Sequence, residues 1–120
     1  MTLKECYALI GGDYNEIINA LGSEGIVSKF LIKLIDEKTY ATLEEALDNK
    51  SYVEAFRAAH TLKGICLNLS LKSLYNLINP LTEELRSPAS MDLANVDKLY
   101  KSFMQEYNKT IDIISDYKNQ

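Results

Sequence analysis

From Ser51 onward, apolar residues recur every three or four positions almost without interruption. Tyr52, Ala55, Ala59, Leu62, Cys66 and Leu69 form one stripe, and Leu71, Leu74, Ile78, Leu81 and Leu85 a second. Leu93, Val96, Tyr100, Phe103, Tyr107, Thr110, Ile114 and Tyr117 form a third. This spacing puts each set on one side of an α-helix, ready to pack lengthwise against near-parallel neighbours. Upstream, Ser23 opens another helix with Glu24 in its first turn. Its apolar positions Ile26, Val27, Phe30, Leu31, Leu34 and Ile35 keep the same repeat. Four main helices with short connections predict an all-α protein, an antiparallel four-helix bundle.

Shorter elements accompany the bundle. A helix is expected from Leu3 to Ile10, stopped by Gly11 and Gly12. A second runs from Tyr14 to Leu21, capped by Asp13 and ended by Gly22. Thr42, with Glu45 three residues on, resembles a capping box for a short helix through Leu47. Pro80 interrupts the second stripe, removes a backbone donor and should kink or break that helix; Ser87-Pro88 then ends it. No repeat, low-complexity tract or long linker divides the chain, so residues 1–120 read as a single domain.

Composition narrows the possibilities. The chain has 120 residues, 47% of them hydrophobic and 25% charged, which is enough to bury one core and sets it apart from disordered chains. Five glycines and two prolines are too few for a turn-rich β-sandwich. The net charge is −4 and the basic residues are scattered, so no basic face offers itself to nucleic acid. Cys6 and Cys66 lack metal-ligand spacing and read as two free thiols in a reducing cytoplasm. The opening stretch lacks the apolar core of a signal peptide, and no apolar run approaches the ~20 residues that span a bilayer. A cytoplasmic location with no membrane or nucleic-acid partner follows as the expectation.

The chemistry gathers around "AAHTLKGICLNL", residues 58–69, which holds the only histidine. On a helical wheel His60 lies about 130° from the centre of the buried stripe, with Gly64 and Arg57 nearly opposite that stripe. Lys63 sits at the flank, about 70° from the buried direction, where a long side chain can carry its ammonium outward. Val53, Phe56 and Leu67 are apolar yet fall on this outer side or its edge. An exposed histidine on a helix often has no role. Here a cation one turn on could balance an anion carried by the ring. The glycine, which costs about 1 kcal/mol relative to alanine, clears the adjacent surface for another molecule. The pattern describes an exposed nucleophile facing a visitor that carries negative charge.

Other chemistries fit poorly. With one histidine and no suitable cysteine pair, a zinc site is not expected. A Ser–His–Asp arrangement would have to work on an exposed helix without a pocket to exclude water. Gly11-Gly12 is an isolated pair that reads as a helix stop rather than a phosphate loop. A phosphoryl group on His60 would therefore have to come from another protein. Such a chain would have no kinase activity of its own.

"AHTLKG", followed by Asn68 and Leu69, resembles the histidine-containing phosphotransfer (HPt) domain of bacterial multistep phosphorelays. His60, Leu62, Lys63, Gly64 and Asn68 match the family pattern, whereas Ile65 stands where a small residue is usual and Ser70 replaces a final glycine. "GGDYNEIINALGSEGIVSKFLIKLI" and "EALDNKSYVEAFRAAHTLKG" also look like stand-alone members. The resemblance covers most of residues 7 to 86.

This resemblance implies that His60 is the phosphoacceptor through Nε2, that Lys63 helps neutralise the phosphoryl oxygens, and that Gly64 leaves room for a receiver domain. Arg57, Val53, Phe56 and Leu67 would border the docked receiver. It further implies receiver domains as partners, one of them carried by a hybrid histidine kinase, and no cofactor on this chain, since Mg2+ belongs to the receiver. A monomer is expected from the mostly polar outer faces. Ile65, about 90° from the buried direction and away from His60, should alter packing with a neighbouring helix. Ser70 could end one helix or cap the next, and Asn68 should help fix the helix end. The competing reading is a bundle that docks and inhibits a receiver or histidine kinase without transfer. It has no use for the His60–Lys63–Gly64 set.

Overall fold

Local side-chain chemistry sets most of the helix starts. In the computed structural model, which describes residues 1–120, Thr2 and Glu5 cap each other at the start of α1 (Leu3–Leu9). The Asp13 carboxylate accepts from the Glu16 N–H at the start of α2 (Tyr14–Leu21), which Gly22 ends in a left-handed conformation. Ser23 opens α3 (Glu24–Lys33) as expected, its hydroxyl accepting from the Ile26 N–H. Asp92 accepts from the Ala94 and Asn95 N–H groups at the head of α7 (Leu93–Lys118). Between them lie α4 (Thr39–Asp48), α5 (Tyr52–Asn68) and α6 (Lys72–Leu85), with short 3-10 turns at Leu34–Asp36 and Pro88–Ser90.

The expected four-helix bundle is present, but one of its members differs. α5 packs between α4 and α6, and α6 packs on α7. Aromatic contacts close the ring: Tyr40 of α4 stacks on Tyr107 of α7 at 4.4 Å and also meets Phe103 and Tyr100. The fourth member is thus α4, not the 23–35 segment. That segment lies against α7, where the Ser28 and Tyr117 hydroxyls are 3.0 Å apart. Its stripe is only half used. Val27, Leu31 and Leu34 are buried, while Ile26 and Phe30 stay exposed.

Two further expectations are corrected. Thr42 caps nothing: α4 begins three residues earlier, and the Thr42 hydroxyl donates to the Lys38 carbonyl inside the helix. The carboxylate that serves the first turn is that of Glu37, which accepts from the Thr39 N–H and hydroxyl. Nor does Pro80 break α6, which runs through it to Leu85. The missing donor orphans the Asn76 carbonyl, but Asn76 and Pro80 are both exposed, so water can serve that oxygen.

The N-terminal helices brace the far end of α5. The Tyr7 hydroxyl donates to the Leu69 carbonyl at 2.9 Å, and the Asp13 N–H to the Ser70 carbonyl at 2.9 Å. Gly12 permits this close approach, since a Cβ there would stand 2.6 Å from the Tyr7 ring and 3.1 Å from the Ser70 oxygen. Cys6 and Cys66 are free thiols within the core. Burial pushes them up to about 11 and about 12 respectively. No helix is long and apolar enough to cross a membrane.

Candidate functional site

α5 has two unlike sides. Ala55, Ala58, Ala59, Leu62 and Cys66 are buried against the bundle. On the other side His60, Arg57, Val53 and Leu67 are exposed, the last two at 56% and 57%, while Phe56, Lys63 and Gly64 are half-buried. The spacing-derived outward placement thus holds for His60, Arg57, Val53 and Leu67 and the flanking one for Lys63 and Phe56, whereas Gly64, expected in solvent, is half-buried; all seven lie on one helix. The imidazole lies alongside the Phe56 ring one turn earlier, with centroids 5.9 Å apart and planes 22° from parallel. One turn later, a Cβ built on Gly64 would have no neighbour within 4 Å. The fold does not require glycine there. Its effect is to keep the surface beside the histidine low.

The charges around the ring are already paired. Arg57 donates to Glu54 at 2.7 Å on the exposed surface. The Lys63 ammonium stands 3.6 Å from an oxygen of Glu83 on α6. Glu83 also accepts from Nε and Nη2 of Arg86, at 2.9 and 3.0 Å, in a two-pronged pair. The Arg86 guanidinium in turn lies 5.1 Å from the centroid of Phe56, on whose ring His60 stacks. Arg86, and then Lys63, hold the Glu83 carboxyl below its ordinary range, so it is an anion at neutral pH. Glu83 and Arg86 were not foreseen from the sequence. Their three-residue spacing suggests only a surface ion pair, and nothing local shows that α6 delivers it to the histidine.

The sequence model of the Hpt domain matches residues 36–113. The chain belongs to the Hpt domain family. This assigns it a phosphotransfer-related role in two-component signalling, in which Hpt domains interact with receiver domains. The matched stretch holds all of α4, α5 and α6 and most of α7, and with them His60, Lys63, Gly64, Glu83 and Arg86. α1, α2 and α3 lie outside it. No curated protein and no solved structure matches the chain.

The two departures from the Hpt pattern lie away from the histidine. Ile65 faces a neighbouring helix as expected, lining a cavity of about 580 Å3 with Leu21 of α2, Phe30 of α3 and Leu34. Ser70 is the turn residue itself, at φ 55°, in the left-handed region where glycine is favoured; α6 has no side-chain cap, so Ser70 does not cap it. Asn68 is exposed at the edge of the same cavity. Backbone bonds close the helix end instead, from the Leu69 N–H to the Ile65 carbonyl and the Leu71 N–H to the Cys66 carbonyl.

Proposed function

We propose that this Hpt domain takes a phosphoryl group onto His60 from the aspartyl phosphate of a receiver domain and passes it to a second receiver. One observation carries the reading: an exposed histidine in the middle of a rigid helix, beside a glycine position surrounded by open space. In the forward step the Nε2 lone pair forms the N–P bond as the acyl O–P bond breaks. The electron pair of the broken bond stays on the receiver's carboxylate, and the imidazole keeps its Nδ1 proton. Such a transfer needs alignment and charge balance more than covalent help from the acceptor.

Lys63 supplies charge to the phosphoryl oxygens. Gly64 admits the receiver, and Val53, Phe56, Leu67 and Arg57 border the contact. Mg2+ and most of the transition-state stabilisation belong to the receiver, so this chain needs no cofactor. The protein acts as a monomer in the cytoplasm, with receiver domains, among them one attached to a hybrid histidine kinase, as its partners. The test is incubation with a panel of phosphorylated receiver domains. Wild type should acquire an acid-labile, alkali-stable label that His60→Gln does not. A label that persists in the variant overturns the assignment. No label alongside retained receiver binding would replace transfer by docking and inhibition.

A further inference from the structure

Glu83 occupies an unusual position for a carboxylate beside a phosphoryl-acceptor histidine. It is the shared anion of two cations on the histidine's side of the bundle: Lys63, three residues after His60, and Arg86, whose guanidinium lies 5.1 Å from the centroid of the Phe56 ring on which His60 stacks. With His60 unmodified, the Lys63 ammonium is held by α6. A phosphoryl group on His60 brings a second, stronger anion to the same lysine. The two-pronged Arg86 contact means that Glu83 does not lose its only partner when Lys63 leaves. The single 3.6 Å contact to Lys63 is the weaker of its two attachments.

We infer that Glu83 is a positioning residue that competes with the phosphoryl group for Lys63, and so keeps phosphorylated His60 a ready donor. This rests on the phosphotransfer reading. The competition sets how the group divides between His60 and a receiver. With Glu83 in place, Lys63 is only partly available to the phosphoryl oxygens, and the N–P bond forms and breaks near balance. Without it, Lys63 turns fully to the phosphoryl group, which is then retained.

The experiment measures the equilibrium share of label on His60, using one receiver domain charged with acetyl phosphate and Mg2+. Glu83→Gln keeps the size and exposure of the side chain and removes the charge. It should raise the phosphohistidine-to-phosphoaspartate ratio about two- to fivefold, the range expected for one half-exposed ion pair. Arg86→Met keeps bulk over Phe56 but leaves Glu83 to Lys63 alone, and should lower the ratio. In a Lys63→Ala background the effect of Glu83→Gln should vanish, a coupling that mere loss of structure would not produce.

An unchanged ratio in Glu83→Gln, or an equal change with and without Lys63, overturns the inference while leaving transfer through His60 intact. A wild type that takes no label at all removes the transfer reading and this inference together.

Discussion

The two sides of α5 are built on opposite rules. Inward, Ala55, Ala59, Leu62 and Cys66 are almost wholly buried, and the small alanines let α4 and α6 close on the helix. Outward, Val53, His60 and Leu67 are exposed, and Gly64 beside them weakens the helix that carries it. One helix thus separates folding from reactivity: the inner side fixes where the histidine stands, and the outer side is free to be chosen for whatever arrives.

The sharpest test of that separation is His60→Gln. Label transfer should disappear entirely while the urea midpoint moves by no more than about 0.5 kcal/mol equivalent, as expected for an exposed site. Leu62→Ala is the mirror experiment. Emptying a fully buried position should cost about 2–5 kcal/mol in denaturant unfolding, yet the fraction still folded should transfer at the wild-type rate. A large loss in that rate would show that the two sides are not independent.

Gly64→Gln should split the two properties in opposite directions. It should slow transfer about tenfold by raising the surface where the partner sits. It should also stabilise the fold by about 0.5–1 kcal/mol, since a better helix former enters open space. Faster or unchanged transfer would leave that glycine without a mechanical reason.

The inner side also predicts a pH response. Burial raises the Cys66 thiol from 9.0 to about 12 in the folded protein, so the folded state holds its proton after the unfolded chain has released it. The associated stability is complete below about pH 9 and is lost as pH rises toward 12. Urea midpoints measured from pH 8 to pH 10.5 should fall, and more gently in Cys66→Ala.

The sequence makes the sides of α5 legible because a 3.6-residue repeat is local information, and the wheel alone turns His60 and Gly64 outward with Lys63 at the flank. The same reasoning chose the wrong fourth helix. The 23–35 stripe is longer and more apolar than Thr39–Asp48, but α4 is the helix that packs along α5 and whose Tyr40 stacks on Tyr107 across the bundle. Pairings of this kind join residues far apart in the chain, and no local repeat reports them. The Lys63–Glu83 contact was hidden for the same reason: each residue reads as ordinary helix surface until the two helices are brought side by side.

Mounting the histidine in the interior of a 17-residue helix has a kinetic consequence. No loop has to be ordered and no segment has to fold before a partner can engage it, so encounter is a rigid-body event whose frequency depends on diffusion and orientation. A reactive group presented in this way offers the same profile to every visitor. Under the proposed relay, successive receivers would compete by how fast they arrive and leave, rather than by how far they can reshape the surface they meet.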